Sequence, residues 1–181
     1  IINSHHDNMG FFNDNFHLGV NWYKSFFPTQ AFMEKIKKKY GTSLTFDTTT
    51  TYMEHSSTAE NVKKTKPDMK IIVMLRNPID RAYSQYNRAI KIDGIELRNF
   101  EDVVMTEIEK LSDHKNTSFQ ILRDESNYIK KGLYYEQLKP WFELFPRKNI
   151  GIFSTEDFKN DSQKTYDKIF NFLELFKNKS K

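Results

Sequence analysis

The residues best suited to chemistry are basic and hydroxyl side chains that follow an apolar run near the middle of the chain. Arg76 comes directly after the run Ile71–Leu75, and Ser84 lies in the segment that follows. A guanidinium forms charge-assisted hydrogen bonds with phosphate or sulfate oxygens, and a hydroxyl group adds a further donor. These residue types predict an anion-binding site. The alternative is that Arg76, Arg81 and Arg88 are ordinary solvated charges, as most charged residues are.

The elements that position these side chains can be predicted from the same stretch. The run Ile71–Leu75 is too short for a buried helix and rich in β-branched residues, which is typical of a parallel strand covered on both faces. Pro78 suits the first turn of a helix and Asp80 places an acid there, so a helix is expected to begin at about Pro78. The carboxyl end of the strand then brings Arg76 to the crevice where open α/β sheets bind ligands.

The string LRNPIDRAYSQY at residues 75–86 closely resembles a segment of a known enzyme family. It is similar to the pattern LRNPxxRAYSxY of sulfotransferases that use 3′-phosphoadenosine 5′-phosphosulfate (PAPS), especially those acting on heparan sulfate and related glycans. In that family the arginine and the serine of this segment hold the 3′-phosphate of PAPS. The resemblance therefore implies that Arg76 and Ser84 bind this phosphate.

Two further segments resemble the same family and occur in the same order. The first contains the aromatic pair, the glycine, the WY pair and the proline of the family pattern: Phe11, Phe12, Gly19, Trp22, Tyr23 and Pro28. The spacing of Trp22 and Phe26 also fits an aromatic core, and the two interpretations are compatible. The second, GLYYEQLKPWFELFP at residues 132–146, resembles RGxYxxxLxxWLxxFP. This resemblance implies Lys131 as a second phosphate contact and Tyr134 as a nucleotide-binding residue, although a solvated Lys131 is the alternative.

At the catalytic base, the chain departs from the family pattern. Relatives carry a Lys-Glu pair before the aromatic pair, and its glutamate often takes the proton of the acceptor; the matching residues here are Asp7 and Asn8. Because an asparagine cannot act as a base, Asp7 is the predicted substitute, and His6 and His5 are the next candidates. The alternative is that this His-His-Asp run is solvent-exposed or a remnant of purification.

A second departure occurs in the segment LTFDTTTTY at residues 44–52. It resembles the family segment LTxEKTPxY, with Asp47 at the glutamate position and Thr48 at the lysine position. The family lysine assists at the sulfuryl group that is transferred. Thr48 can donate a hydrogen bond there but carries no charge, so part of the stabilisation must come from elsewhere. Asp47 and Thr48 complete the predicted catalytic set of Asp7 and His6.

The order of strands and helices favours an α/β fold with a parallel sheet. Together with the resemblance, it predicts three layers, a parallel sheet flanked by helices, as in the P-loop nucleotide-kinase-like fold of sulfotransferases. The phosphate loop of the family precedes the aromatic pair, and the chain starts after that point. We therefore expect residues 1–181 to form a single domain truncated at its N-terminus, while truncation at the C-terminus is left open.

Composition limits the classes of partner and site. The formal charge of +4 and the isoelectric point of about 9.0 favour anionic partners. The absence of cysteine excludes disulfides and thiolate metal sites, and the histidines do not have a recognisable metal-ligand spacing, so no metal is predicted. No apolar run is long enough to span a bilayer.

The predicted function is transfer of a sulfuryl group from PAPS to a hydroxyl or amine. The resemblance implies a nucleotide donor and a carbohydrate acceptor rather than nucleic acid. One alternative is a catalytically impaired module of the same fold that binds nucleotide or anionic glycan, which the changed positions Asn8 and Thr48 favour. An ATP-using kinase of similar fold is disfavoured because no GxxxxGK[ST] string occurs.

Overall fold

The computed structural model of the chain describes residues 2–3, 8–92, 94, 96–112 and 127–175. Its strands are β1 (Ile2–Asn3), β2 (Thr45–Phe46), β3 (Ile71–Leu75) and β4 (Ile150–Ser154). Its α-helices are α1 (Gly19–Lys24), α2 (Gln30–Tyr40), α3 (Thr58–Thr65), α4 (Pro78–Lys91), α5 (Phe100–Ser112), α6 (Tyr134–Leu144), α7 (Thr155–Asn160) and α8 (Ser162–Phe172). Short 3₁₀ turns are Phe16–Leu18, Tyr52–Glu54, Lys130–Gly132 and Arg147–Asn149.

The strands form two parallel pairs. Strand β3 pairs with β4, with Ile71 opposite Ile150 and Leu75 opposite Ser154, and β1 pairs with β2. A parallel pair needs a long crossover connection, and helices α4, α5 and α6 lie in the chain between β3 and β4. The prediction of a mixed α/β fold with parallel strands is confirmed, and Arg76 lies at the carboxyl end of β3 as expected.

The prediction that β3 is covered on both faces is correct for only one of them. Val73 is buried, whereas Ile72 and Met74, which point to the opposite face, are 42% and 41% exposed. On that second face, Phe172 of α8 packs against Phe153 of β4, with ring centroids 6.2 Å apart. Helices therefore flank both faces of the β3–β4 pair, but among the described residues α8 covers the β4 side better than the β3 side.

The main hydrophobic core joins the aromatic segment near the N-terminus to the β3–β4 pair. Its buried members are Phe11, Phe12, Ala59, Val62, Val73, Leu138, Trp141, Phe145 and Ile150. Phe11 and Phe12 are almost completely buried, and burying one such side chain stabilises the fold by about 1.5–3 kcal/mol. Trp22 and Tyr23 are partly buried against this cluster, so the aromatic core expected from the helical spacing is confirmed.

Helix α4 begins where the sequence predicts. The side chain of Asn77 accepts hydrogen bonds from the backbone N–H groups of Ile79 and Asp80, at 2.9 and 3.3 Å. Pro78, which has no N–H to satisfy, occupies the first helical position. A second, smaller core of Ala82, Tyr86, Val103 and Tyr128 fixes this helix to α5 and to the stretch before α6. Helix α4 is thus held against α5 and the stretch before α6.

Candidate functional site

The carboxyl end of β3 is contacted by the beginning of α6 and the turn before it. The hydroxyl of Tyr134 donates a hydrogen bond to the backbone carbonyl of Arg76 at 2.9 Å. Gly132 lies so close to the first turn of α4 that an added Cβ would be 3.0 Å from the Cβ of Pro78. Three of the predicted nucleotide-binding residues, Arg76, Lys131 and Tyr134, therefore come from distant parts of the sequence to one place. We call these three the strand-end cluster.

The turn that carries Lys131 is anchored by side chains from three helices. Arg81 of α4 donates to the backbone carbonyl of Tyr128, and its second terminal nitrogen donates to Gln85 at 2.7 Å. The carboxylate of Glu107 accepts from the backbone N–H groups of Ile129 and Lys130, at 2.9 and 2.8 Å. Gln137 of α6 donates to the carbonyl of Lys131 at 2.9 Å. The position of Lys131 is thus built into the fold.

Arg81 is the residue whose role the sequence left undecided. It is half-buried rather than fully solvated, and this burial lowers the pKa of its guanidinium, although the nearby Tyr134, Glu54 and Glu107 act in the opposite direction. Its side chain contributes to the scaffold under the strand-end cluster, through the contact with the carbonyl of Tyr128. The interpretation of Arg81 as an ordinary surface charge is wrong.

Lys131 forms an ion pair that the sequence analysis missed. Its Nζ lies 3.0 Å from Oε2 of Glu54, and the two side chains are only 25% and 20% exposed. Glu54 belongs to the turn Tyr52–Glu54, which precedes α3. The alternative of a fully solvated Lys131 is therefore wrong, because its ammonium group is partly buried against a carboxylate. No feature of the local sequence around Glu54 indicates this contact.

The other two predicted phosphate contacts differ in their surroundings. Nε of Arg76 is buried and has no hydrogen-bond partner among the described residues, which is expensive unless a further group satisfies it. Ser84 is exposed on α4, one helical turn beyond Arg81. The first amides of α4 are already bonded to Asn77, so an anion at this end of the helix has side chains rather than those amides to meet.

Glu156 of α7 joins the ends of the two paired strands. Its carboxylate accepts a hydrogen bond from the backbone N–H of Asn77 at 2.9 Å and from the hydroxyl of Ser154 at 2.9 Å. These bonds favour the charged form, and the contact with the Asn77 amide is the largest cause that lowers the pKa of Glu156 from 4.5 to about 2. Glu156 thus fixes the peptide directly after Arg76.

A second region brings together the two segments where the chain departs from the family pattern. Residues 8–13 and 47–52, which we call the paired segments, run side by side. Their hydrogen bonds join Asn8 N–H to the Thr48 carbonyl (3.1 Å), Thr50 N–H to Asn8 Oδ1 (3.2 Å), Gly10 N–H to Thr49 Oγ1 (3.3 Å) and Asn13 Nδ2 to Thr51 Oγ1 (3.0 Å). The threonine run therefore serves to dock the N-terminal segment.

Asp47 is the one acidic residue of the paired segments, and its carboxylate accepts hydrogen bonds from neighbouring hydroxyl groups. Its Oδ2 accepts from the phenols of Tyr52 and Tyr23, at 2.5 and 3.3 Å, and its Oδ1 accepts from Thr49 at 3.0 Å. Burial, followed by the influence of Asp47, raises the pKa of both phenols, so they remain protonated donors. Both carboxylate oxygens of Asp47 are thus engaged as acceptors, which favours an anchoring role over that of a base.

A comparison with known families identifies the class of protein to which this fold and site belong. Residues 7–180 match the family model described as "Sulfotransferase domain". The chain belongs to the sulfotransferase family. This agrees with the resemblance found in the sequence.

Several curated relatives of this sulfotransferase domain are named for heparan sulfate. The chain is 25% identical over 163 residues to the bifunctional heparan sulfate N-deacetylase/N-sulfotransferase 1 of Caenorhabditis elegans, and this match covers 89% of the chain but 17% of the relative. It is 24% identical over 165 residues to heparan sulfate glucosamine 3-O-sulfotransferase 3B1 of Mus musculus, covering 91% of the chain and 37% of the relative. The chain thus spans a minor part of these proteins.

A solved sulfotransferase has a similar fold. The structure of a sulfotransferase from Alicyclobacillus acidocaldarius superposes with a TM-score of 0.67 and 24% sequence identity, covering 94% of this chain and 69% of that one. At this identity the comparison supports the fold and not the acceptor. It agrees with the predicted sulfotransferase fold, in which helices flank a parallel sheet.

The predicted catalytic residues of the sulfotransferase domain fall into two groups. Asp7 and His6, like His5, lie outside the residues that the structure describes. Asp47 and Thr48 both lie in the paired segments, and Thr48 is exposed with its carbonyl bonded to Asn8. The two positions where the family carries glutamate and lysine are therefore direct neighbours here, occupied by Asn8 and Thr48.

The described residues of the sulfotransferase domain contain neither a candidate metal site nor a candidate membrane-spanning helix. Within those ranges, no group of three or more His, Cys, Asp or Glu residues is placed to hold a metal ion. None of the helices described above has the length and apolar character needed to cross a membrane.

Proposed function

We propose that this domain binds PAPS and transfers its sulfuryl group to a hydroxyl or amine of a carbohydrate. The observation that carries the proposal is the strand-end cluster, which gathers Arg76, Lys131 and Tyr134 at the carboxyl end of a parallel strand. This is the position at which open α/β sheets bind ligands. Membership of the sulfotransferase family supports the donor and the reaction.

In this proposal the strand-end cluster and Ser84 hold the nucleotide through its 3′-phosphate. The guanidinium of Arg76 has a buried Nε without a partner among the described residues, so a phosphate oxygen would satisfy an otherwise costly donor. Lys131 adds a second positive charge, and Ser84 adds a hydroxyl donor on the exposed side of α4. Tyr134 fixes the Arg76 peptide by its hydrogen bond to the carbonyl.

The proposed reaction transfers the sulfuryl group between two nucleophiles. The acceptor oxygen or nitrogen forms a bond to sulfur while the bond from sulfur to the 5′-phosphate oxygen breaks, and adenosine 3′,5′-bisphosphate leaves with the electron pair. A base removes the proton of the acceptor, and positively charged side chains or hydrogen-bond donors stabilise the sulfuryl oxygens. Thr48 is proposed as one such neutral donor.

We assign the role of base to Asp7, with His6 as the next candidate. The described residues on either side of Asp7 support this, because β1 and residues 8–13 both run along the stretch that contains residues 45–52. Asp47 lies in that stretch, but its carboxylate oxygens already accept three hydrogen bonds. We therefore propose that Asp47 anchors the site and that it does not take the proton.

The proposed acceptor is a carbohydrate related to heparan sulfate. The two curated relatives described above are named for heparan sulfate, one as an N-sulfotransferase and one as a 3-O-sulfotransferase. Because these two names imply an amine and a hydroxyl acceptor respectively, they do not select between the two. The positive formal charge of +4 is consistent with an anionic glycan.

A second candidate function is a nucleotide- or glycan-binding module without efficient catalysis. The observation that favours it is the contact between Asn8 and Thr48, which places two neutral residues side by side where the family carries a glutamate and a lysine. Without either charge, neither proton removal nor stabilisation of the sulfuryl group has its usual residue at these positions.

One pair of measurements separates the two candidates. Calorimetry with adenosine 3′,5′-bisphosphate tests nucleotide binding, and transfer of labelled sulfate from PAPS to N-deacetylated heparosan, which offers both amines and hydroxyls, tests catalysis. Binding together with transfer supports the enzyme. Binding without transfer to any glycan acceptor supports the binding module, and absence of nucleotide binding contradicts both assignments of the strand-end cluster.

A further inference from the structure

The ion pair between Glu54 and Lys131 differs from the exposed ion pairs elsewhere in the described structure. Its atoms are 3.0 Å apart, and its side chains are 25% and 20% exposed. In contrast, Glu60 and Lys64 on α3 are 3.6 Å apart, with side chains that are 63% and 65% exposed. A solvated pair of that kind is worth little, whereas charges that have lost part of their water depend strongly on their partner.

Both members of the pair are held in place by the fold. Glu54 ends the turn whose first residue, Tyr52, is hydrogen-bonded to Asp47 at 2.5 Å, and Met53 of the same turn packs against the main core. The backbone of Lys131 donates to the carbonyl of Asn127 at 3.2 Å and accepts from Gln137 at 2.9 Å. The carboxylate of Glu54 therefore faces Lys131 because two anchored turns meet.

Glu54 is an acid in a region whose proposed ligand is an anion. The neighbouring Glu107 has its carboxylate bonded to two backbone amides, and Arg81 uses its terminal nitrogens for Tyr128 and Gln85. Both of these groups thus serve the scaffold. Arg76 and Lys131 are the cations that we have assigned to the phosphate, and one of the two is already neutralised by Glu54.

We propose that Glu54 competes with the 3′-phosphate of the nucleotide for Lys131 and thereby weakens nucleotide binding. This inference rests on the proposed function, because it assumes that Lys131 contacts this phosphate. A phosphate that approaches Lys131 must displace the carboxylate of Glu54 or bind beside it. In the second case the negative charges of the phosphate and of Glu54 repel each other. Re-formation of the ion pair then helps to expel adenosine 3′,5′-bisphosphate after transfer, a step that limits turnover in many enzymes.

The proposal predicts that removing the charge of Glu54 raises the affinity of the protein for adenosine 3′,5′-bisphosphate. Glu54→Gln keeps the size of the side chain and removes its charge, so calorimetry should show adenosine 3′,5′-bisphosphate binding about tenfold tighter than in the unmodified protein. Adenosine 5′-monophosphate, which lacks the 3′-phosphate, should gain less than twofold. Glu60→Gln is the matched control, because it removes the carboxylate of an exposed pair and should leave both affinities unchanged.

A second variant and a kinetic measurement guard against a folding defect. Glu54→Asp retains the charge but shortens the side chain, so it should give an intermediate gain. In stopped-flow displacement, the dissociation rate of the bisphosphate should fall in both variants in proportion to the gain in affinity. Lys131→Gln combined with Glu54→Gln should abolish the gain, because the competed cation is then absent.

The outcomes distinguish this inference from the function on which it rests. If the unmodified protein binds the bisphosphate and both Glu54 variants bind it equally or more weakly, Glu54 supports Lys131 and the inference is overturned while the proposed function stands. If the nucleotide binds and gains affinity as predicted but no sulfate is transferred, the inference holds and the enzymatic proposal fails. Absence of binding in the unmodified protein and in both variants overturns both.

Discussion

At the strand-end cluster, neighbouring side chains hold the backbone of two charged residues, whereas in the paired segments most of the contacts are made by neutral groups. The backbone carbonyls of Lys131 and Arg76 accept hydrogen bonds from the side chains of Gln137 and Tyr134 respectively. Residues 8–13 and 47–52 are instead joined by threonine hydroxyls, asparagine amides and backbone groups. We therefore assign the two steps of the proposed reaction, nucleotide binding and proton removal, to two regions, which the ion pair of Glu54 and Lys131 connects.

The largest expected effect tests proton removal from the acceptor, independently of nucleotide binding. Asp7→Asn preserves size and removes basicity, so transfer of sulfate to a glycan acceptor should fall roughly 10²- to 10⁴-fold, the usual value of general base catalysis. The affinity for adenosine 3′,5′-bisphosphate should stay constant, because the change lies outside the strand-end cluster. Full turnover in Asp7→Asn would place the base elsewhere, and His6→Gln is then the variant to assay.

The next effect tests nucleotide binding by Arg76 and Ser84. Arg76→Ala removes a charge-assisted contact worth about 1.5–3 kcal/mol, so affinity for the bisphosphate should fall roughly ten- to a hundredfold in calorimetry. Ser84→Ala removes a neutral donor and should cost less. Arg88→Ala, an exposed change on the same helix, is the control and should bind as the unmodified protein does. The assignment is wrong if both Arg76→Ala and Ser84→Ala keep the original affinity.

An effect of similar free energy concerns the stability of the paired segments. Tyr52→Phe removes the hydroxyl that donates to Asp47 at 2.5 Å, a hydrogen bond to a charged acceptor, and should lower the free energy of unfolding by about 1.5–3 kcal/mol in urea titrations. Tyr40→Phe, at an exposed position, should change it by less than about 0.5 kcal/mol. If the two variants are equally stable, the contact between Tyr52 and Asp47 carries no net stability.

The features that the sequence predicted correctly are those governed by neighbours along the chain. The start of α4 follows from Pro78 and Asp80, since a residue without an N–H and an acid both suit the first helical turn, and the structure adds Asn77 as the capping side chain. The burial of Trp22 follows in the same way from helical spacing. Such local rules operate before any long-range contact forms, so one sequence is enough to apply them.

The features that the sequence missed depend on how distant segments dock. The pair of Glu54 and Lys131 exists because two anchored turns meet, and neither turn contains a signal for the other. The uneven cover of β3 is similar, because Ile72 and Met74 fit a buried strand by composition and only the packing of α8 leaves them exposed. Family resemblance supplied the positions of Arg76 and Lys131, but not the acid beside the lysine.

The smallest expected effect is a pH dependence at the junction of the two strands. Hydrogen bonds from the Asn77 amide and neighbouring groups hold the pKa of Glu156 at about 2 in the folded protein, below its ordinary value of 4.5. Because the folded pKa is the lower one, Glu156 contributes stability above about pH 4.5, and this contribution is lost as the pH falls towards 2. The exposure of Glu156 to solvent keeps the effect modest.

Glu156→Gln tests this dependence directly. At pH 6.5 the variant should melt at a slightly lower temperature than the unmodified protein, since a neutral amide is a weaker acceptor for the Asn77 N–H. Between pH 4.5 and 2 the difference should shrink, because protonation of Glu156 removes the same charge from the unmodified protein. Glu143→Gln, at an exposed position on α6, is the control and should melt at the temperature of the unmodified protein at pH 6.5. A difference in melting temperature that stays constant across this range would mean that the bond to the strand-end peptide does not stabilise the charged form.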